Sequence, residues 1–311
     1  MPHRGGRGRR RGWTGYVLSF LLGAFLALLG YAYYSHVAGE RPRPSRTLSK
    51  KVSPVEKGIQ TQIPDPSSVK EEGDKPSSPQ TSPRPKIAIV IDDLGGENKI
   101  SKELLLFDVP LTFSILPLTT YSTSLATEAH KKGKEVILHL PMEPHGYPKV
   151  KPGEGALLEE MNEERLLQQL AKDIESVPNI KGVSNHMGSR LMEDPEKLKI
   201  IFFDLKQRGL FFLDSRTTPK TAGLQTAKRV GLRAAERTLF IDHSPEEEDI
   251  KEKLDRLIQV SLSTGMAIGI GHPHPATVRV IRGMVPRMKE RGIEIVFLST
   301  LINESPNPNH R

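Results

Sequence analysis

The feature that most constrains the fold is a series of eight short apolar runs between residues 86 and 300. Each run has four to six residues, and most are continuous rather than alternating in apolar character. Continuous runs of this length are typical of parallel strands that are buried on both faces. The runs are Ile87–Ile91, Leu111–Leu116, Glu135–Leu140, Ile180–Asn185, Leu210–Asp214, Thr238–Ile241, Met266–Ile270 and Glu294–Leu298.

Amphipathic segments separate these runs. Between residues 162 and 177 the apolar side chains recur on one helical face, and Asn162 is placed to cap the first turn. The Asp-Pro-Glu sequence at 194–196 and the Ser-Pro-Glu sequence at 244–246 predict the starts of two more helices. Seven or eight strand–helix units therefore predict an α/β fold, a regular or distorted (β/α) barrel over residues 86–302, rather than a small doubly wound sheet.

The sequence before the barrel has a different composition. Residues 1–15 carry five arginines and no acid, and residues 16–37 form an uncharged apolar stretch that is long enough to cross a bilayer as a helix. We interpret residues 16–37 as a transmembrane signal anchor, and a cleavable signal peptide is the alternative. Because a short basic N-terminus favours the cytoplasmic side, the predicted localisation is the cell membrane, with one span and the C-terminal domain outside the cytoplasm.

The remaining segments explain the charge of the chain. Residues 38–85 are rich in Pro, Ser, Lys and Glu, which predicts a disordered linker, and residues 303–311 form a short tail. The formal net charge of +8 comes from residues 1–85, which hold 14 Lys and Arg against 6 Asp and Glu, whereas residues 86–311 hold 31 of each sign. A neutral folded region gives no support for nucleic-acid binding, and the basic residues fit a segment that flanks a membrane.

Polar residues end most of the predicted strands. Because the carboxyl ends of parallel strands meet at one rim, these side chains are expected to lie close together there. In strand order they are Asp92 and Asp93, His139, Asn185 and His186, Asp214, Asp242 and His243, and finally His272 and His274.

The adjacent carboxylates at the end of the first strand make chemical sense if one of them binds a cation. A metal ion on Asp93 would offset the repulsion with Asp92, which could then stay ionised and accept a proton from a metal-bound water. A site of one Asp and two His leaves a tetrahedral position open for that water, as metal-assisted hydrolysis requires.

Six segments of the chain, in this order and spacing, resemble the divergent polysaccharide deacetylase family, a remote branch of the NodB-type carbohydrate esterases. They are VIDDLGG, TFSILP, VILHLPMEP, GVSNHMGSR, FFLDSRT and IGIGHPHPAT. The resemblance covers residues 86–302 and implies a distorted (β/α) barrel with a divalent metal, commonly Zn²⁺. The activity it implies is hydrolysis of an N- or O-acetyl group on a polysaccharide.

The resemblance also implies metal ligands. Asp93 matches the ligand of the family's first motif, and His139 lies where the family has the first His of an H-x-x-x-H motif. The second His of that motif is missing, and Glu143 stands at its spacing. We therefore expect His186 to be the remaining ligand, with Asn185 or Glu143 as alternatives.

The catalytic roles that the resemblance implies fall on three further residues. Asp92 would be the general base, and His272 would be the general acid toward the leaving group. Asp214 would orient or tune His272. We interpret His243 and His274 as structural, with a loop or helix-cap role for His274.

Two functions stay open from the sequence. The first is a membrane-anchored, metal-dependent deacetylase that acts on an envelope polysaccharide. The second is a catalytically inactive barrel that binds glycan or an envelope protein partner, since the second His of the motif is missing and the family's acetate pocket is not recognisable. The long connection at 141–161 is either a wall of the substrate site or a solvated surface loop.

Overall fold

A computed structural model of the protein describes residues 84–96 and 99–304. The predicted N-terminus (1–15), the membrane span (16–37), nearly all of the linker (38–85) and most of the tail (303–311) lie outside the described residues. None of the described helices is both long and apolar enough to cross a membrane. The anchor at 16–37 therefore stays a prediction.

The described residues contain nine strands in one sheet, and every strand pair is parallel. They are β1 (Lys86–Leu94), β2 (Thr112–Ile115), β3 (Glu135–Met142), β4 (Gly182–Met187), β5 (Phe211–Asp214), β6 (Ala234–Glu236), β7 (Leu239–Phe240), β8 (Met266–Gly271) and β9 (Glu294–Val296). All eight predicted strands are present, with ends within three residues of the prediction. Strand β6 was not predicted from the sequence, because it has only three residues, all of them half-buried.

Eight α-helices lie between and after the strands of the described region. They are α1 (Lys99–Leu104), α2 (Ser122–Lys131), α3 (Glu163–Ser176), α4 (Pro195–Gln207), α5 (Gly223–Val230), α6 (Glu247–Thr264), α7 (Pro275–Glu290) and α8 (Leu298–Glu304). The predicted caps Asn162 and Asp194 are confirmed, because each side chain accepts hydrogen bonds from backbone N–H groups of the first turn. The helix predicted to open at 244–246 is present as α6, but it begins slightly later, at Glu247, and its N-cap residue is Glu246 rather than Ser244. Ser244 accepts from the N–H of Glu246, just before the first turn.

The sheet curls without closing into a complete barrel. Its strand order is β6-β5-β4-β3-β2-β1-β8-β7, with β9 beside β1, and the end strands β6 and β7 do not pair with each other. Along β1, Ile87 and Ile89 belong to the apolar layer under the helices, whereas Ala88 and Val90 belong to an inner cluster. That inner cluster also takes side chains from β5 and β8, which are far apart in the sheet, and Leu301 of α8. The predicted distorted barrel is thus a curled parallel half-barrel, and the carboxyl ends of its strands share one rim.

Candidate metal centre and acid–base residues

The end of β1 departs from regular strand geometry at Asp93. Successive side chains of a strand point to opposite faces, but the register with β2 shifts between Ile91 and Leu94, and Asp93 has a φ of 57°. This left-handed conformation is uncommon for residues other than glycine, and it costs on the order of 1–3 kcal/mol. The irregularity allows Asp92 and Asp93 to face the same histidine, His139, at 3.5 Å and 3.1 Å. The strain is therefore located at a carboxylate that the sequence predicts to be a ligand.

Three side chains from three strands converge at this rim. The Oδ1 atom of Asp93 lies 3.1 Å from Nε2 of His139 and 2.9 Å from Nδ1 of His186. The two ring nitrogens are 3.2 Å apart. Among the described residues, this is the one group of three or more His, Asp or Glu side chains arranged so that it could hold a metal ion. The structure therefore brings together the three ligands that the sequence analysis preferred.

The hydrogen bonding of Asp93 fits a cation site. Its Oδ1 is buried and, despite the two nearby rings, has no hydrogen-bond partner in the described part of the chain. Burial would raise the pKa of Asp93, but its contacts with His139 and His186 outweigh that effect and hold the pKa far below its usual range. Ligand atoms on a tetrahedral zinc ion are about 3.4 Å apart, close to the spacing seen here. The donor set and its unpartnered oxygen thus fit a divalent metal.

The orientation of the His139 ring is set by a contact at Nδ1, the ring nitrogen that does not face Asp93. Its Nδ1 is 2.8 Å from the hydroxyl of Ser184, so Nε2 is the nitrogen that faces Asp93. A metal-bound histidine usually donates its other ring N–H to such a neighbour, which sets the orientation of the ring. Only 2% of His139 is exposed, so its ring is enclosed within the rim.

Asp92 lies beside the ligands but is more deeply buried. Burial raises its pKa, against the lowering effects of the charge of His139 and a hydrogen bond from Ser114. Its Oδ1 has no hydrogen-bond partner among the described residues. A buried carboxylate with a free oxygen and a raised pKa is suited to accept a proton.

His272, at the end of β8, faces the same group. Its Nε2 is 4.0 Å from Oδ2 of Asp93, and its Nδ1 is 2.9 Å from Oδ1 of Asp242. Asp242 also accepts hydrogen bonds from the backbone N–H of His272 and from the hydroxyl of Thr277. Burial alone would lower the pKa of His272, but the hydrogen bond and charge of Asp242, with the charges of Asp92 and Asp93, raise it to about 9.

The prediction that Asp214 orients His272 is corrected by these contacts. The Oδ1 of Asp214 accepts from the N–H of Arg216 at 2.7 Å, and its Oδ2 accepts from the hydroxyl of Thr221 at 2.6 Å. Asp214 therefore fastens the loop after β5. Asp242 orients His272 because β7 pairs with β8, whereas β5 lies on the other side of the sheet. Asp242 also follows a predicted strand, but a single sequence does not show which strands are neighbours in the sheet.

The alternative ligands Glu143 and Asn185 are engaged elsewhere. Glu143 pairs with the guanidinium of Arg190 at 3.1 Å and accepts from the N–H of Glu159 at 2.8 Å. The amide oxygen of Asn185 accepts from the N–H of Ser215 at 2.8 Å. Both side chains hold loops around the rim together.

The other residues singled out in the sequence lie at the edge of the rim. His243 and His274 are exposed, and His274 is the N-cap residue of α7, although its side chain makes no capping bond. The connection at 141–161 is closed at its base, because the N–H of Glu143 donates to the carbonyl of Leu157 and the N–H of Leu157 donates to that of Pro141. Whether this loop forms a wall of the substrate site stays a prediction.

The chain is similar to a known protein family and to several known proteins. The model of the divergent polysaccharide deacetylase family matches residues 89–302, which include every residue of the site. The uncharacterized protein YibQ of Escherichia coli K12 is 34% identical over 219 residues, or 70% of this chain and 68% of that protein. An uncharacterized protein of Haemophilus influenzae is 32% identical over 219 residues, or 70% of this chain and 76% of that protein. The crystal structure of the uncharacterized protein ATU2773 from Agrobacterium tumefaciens C58 is similar with a TM-score of 0.68 at 27% identity, covering 71% of this chain and 90% of that one.

Proposed function

This chain belongs to the divergent polysaccharide deacetylase family, and we propose that it is a metal-dependent hydrolase that removes acetyl groups from a polysaccharide. The observation that carries the proposal is the triangle of Asp93 Oδ1, His139 Nε2 and His186 Nδ1, whose edges measure 2.9–3.2 Å. A carboxylate with a free oxygen lies beside this triangle, and a carboxylate-paired histidine faces it. These are the parts that metal-assisted hydrolysis needs.

The three ligands suit Zn²⁺, which binds carboxylate and imidazole and, in catalytic sites, keeps a position open. When bound, such an ion would act as a Lewis acid toward the acetyl carbonyl and the attacking water. Asp93, His139 and His186 would hold it, and the buried surroundings of His139 would keep their geometry fixed.

Asp92 would take the proton of the attacking water. Its Oδ1 is not committed to any hydrogen bond in the described residues, so it can accept one. Burial raises the pKa of Asp92, which makes its carboxylate a stronger base than that of an exposed aspartate.

His272 would give a proton to the leaving group. Its raised pKa, about 9, keeps the ring protonated at neutral pH. Because Asp242 occupies Nδ1, the proton available to the substrate is the one on Nε2, which points toward Asp93. As the carbon–nitrogen or carbon–oxygen bond breaks, that proton would neutralise the departing amine or alkoxide.

We also propose that the domain works at the outer side of the cell membrane. The support is the sequence alone: an apolar stretch at 16–37 and a linker at 38–85 that would let the domain reach a polymer layer.

The test uses the full-length protein purified in detergent. We expect near-stoichiometric zinc by elemental analysis and acetate release from an N-acetylated glycan fragment. His139→Ala should lose the metal, whereas the matched control His130→Ala, an exposed histidine at the end of α2, should keep both metal and activity. Asp92→Asn should keep the metal and slow acetate release by about 10²–10⁴-fold.

Two outcomes would contradict the proposal. The first is wild-type protein without a divalent ion. The second is metal-loaded protein that binds glycan but releases no acetate from N- or O-acetylated polymers, which would favour the catalytically inactive binding barrel.

A further inference from the structure

Two buried serines form a hydrogen-bonded pair behind the candidate ligand His139. Ser114 on β2 and Ser184 on β4 lie on either side of β3, and neither has any exposed surface. Their hydroxyl oxygens are 2.8 Å apart, and the hydroxyl of Ser184 is 2.8 Å from Nδ1 of His139. Because both serines are fully buried, leaving either hydroxyl unpaired would be costly, and these two contacts supply the partners.

The direction of this chain of hydrogen bonds follows from the chemistry of the ring. A neutral imidazole that offers the lone pair of Nε2 to a cation carries its proton on Nδ1. That N–H must donate to Ser184, which then donates its own proton to Ser114. The hydroxyl of Ser114 is left free to donate in turn. The ring nitrogen of His139 is thus held by a directed pair of hydrogen bonds that runs through the two buried serines.

Ser184 also has a competitor for the ring proton. The Nδ1 of His139 lies 3.5 Å from Oδ1 of Asp92, the buried oxygen that lacks a hydrogen-bond partner in the described residues. Without the Ser184 hydroxyl, this carboxylate would be the ring's remaining acceptor. Asp92 would then pair with His139 and would no longer be free to accept a proton from water.

We propose that Ser184 and Ser114 are positioning residues of the site, which hold His139 with Nε2 available to a cation and keep its other ring nitrogen from pairing with Asp92. The catalytic meaning of this inference rests on the proposed function. Its physical content, the tautomer of His139 and the affinity of the site for zinc, does not depend on acetyl hydrolysis.

The first test uses the wild-type full-length chain with ¹⁵N-labelled histidine. With zinc bound, the nitrogen shifts of His139 should show the metal on Nε2 and the proton on Nδ1. A proton on Nε2 instead would overturn the proposal without any variant having to fold.

The second test compares variants by zinc competition with a chelator. Ser184→Ala should weaken zinc binding by about 10–100-fold, as loss of a partner behind a metal-bound histidine typically does, and Ser184→Thr, which keeps the hydroxyl, should recover most of it. Ser114→Ala is more revealing, because Ser114 contacts none of the ligands. It removes the acceptor of Ser184, which can then donate to His139, so the ring proton should move toward Nε2 and zinc affinity should fall several-fold.

The matched control is Ser261→Ala. Ser261 is also fully buried, but it lies in the last turn of α6, before the amino end of β8 and thus at the opposite end of that strand from the rim, and it donates to the carbonyl of Ile258. If Ser114→Ala and Ser184→Ala lower stability as Ser261→Ala does, yet leave the nitrogen shifts and zinc affinity unchanged, the serines are merely structural. A wild-type protein with the Nδ1 proton and bound zinc but no acetate release would overturn the proposed function and leave this inference standing.

Discussion

Asp93 and Asp214 both lie at the carboxyl ends of parallel strands, but they are used in opposite ways. Both oxygens of Asp214 accept hydrogen bonds, from Arg216 and Thr221, and its side chain fastens a loop. Asp93 instead has a left-handed backbone and a buried oxygen with no hydrogen-bond partner in the described residues, beside two ring nitrogens. A carboxylate whose oxygens all accept hydrogen bonds from the protein stabilises the fold. A carboxylate on a strained backbone, with an oxygen that accepts no hydrogen bond, is available to bind a ligand.

The two rim histidines show a related contrast. The Nδ1 of His272 is paired with the carboxylate of Asp242, and the Nδ1 of His139 is paired with the neutral hydroxyl of Ser184. A carboxylate partner stabilises the protonated ring, as a general acid requires. A hydroxyl partner adds no negative charge and suits a ring that must be neutral to bind a metal. The partner behind each ring therefore separates the two proposed roles.

The largest difference between the two aspartates is expected in metal binding. Asp93→Gly removes a ligand while keeping a residue that tolerates the left-handed backbone. We expect zinc affinity to fall by more than the roughly 100-fold that loss of a partner behind a ligand costs, measured by chelator competition. Asp214→Ala should bind zinc like the wild type, and an equal loss in both variants would break the comparison.

For stability we expect the opposite order, with the larger loss in Asp214→Ala and the smaller one in Asp93→Gly. Asp214→Ala leaves the N–H of Arg216 and the hydroxyl of Thr221 without their buried acceptor, which should cost about 2–4 kcal/mol in the free energy of unfolding. Asp93→Gly in metal-free protein should change it by less than about 1 kcal/mol, because backbone strain is relieved as the charge contacts are lost. Urea unfolding with chelator present measures both, and a larger loss for Asp93→Gly would contradict the assignment.

The contrast between the histidine partners can be sharpened by pH. The pKa of His272 is about 9 in the folded chain against an ordinary value of 6.5. The charged pair with Asp242 therefore stabilises metal-free protein fully below pH 6.5, and this stability is lost as pH rises through 9. We expect a decline of about 2–3 kcal/mol over that range in urea unfolding of the wild type. The decline should be much smaller in Asp242→Asn, where only the charges of Asp92 and Asp93 still raise the pKa of His272. Parallel curves for the two proteins would show that Asp242 does not hold the proton on the ring.

A third buried aspartate, Asp173 on α3, tests whether an unpartnered oxygen is enough to mark a site. Its Oδ2 has no hydrogen-bond partner in the described region, but it belongs to no group of metal-binding side chains there. Burial raises its pKa to about 7, with the charge of Glu154 adding to the effect and a hydrogen bond from Gln169 opposing it.

Because this folded pKa lies above the unfolded one, the carboxyl costs stability progressively as pH rises from about 4 to 7. Asp173→Asn should stabilise the protein by about 1–3 kcal/mol above pH 7 and have little effect near pH 4. Thermal melts across this pH range measure the effect, and zinc affinity should not change. A loss of zinc affinity in Asp173→Asn would mean that a buried carboxylate outside the ligand group also contributes to metal binding.

Much of the scaffold could be predicted from the sequence because its signals are local. Runs of apolar residues fixed all eight expected strands to within three residues, and the caps at Asn162 and Asp194 were visible as residue types before a helical pattern. The parallel arrangement then placed Asp93, His139 and His186 on one rim, since strands of one direction end on one side.

The tertiary structure decided which of the rim residues meet. The strand order put Asp242 rather than Asp214 behind His272, and an arginine and a backbone N–H engaged Glu143, which left His186 beside Asp93. The bulge at Asp93 and the gap between β6 and β7 likewise depend on register and closure. All of these features are contacts between segments that are distant in the sequence. A single sequence shows which residues are available for such contacts, but not which of them pair. The pairing depends on strand order and register, which are set only when the sheet forms.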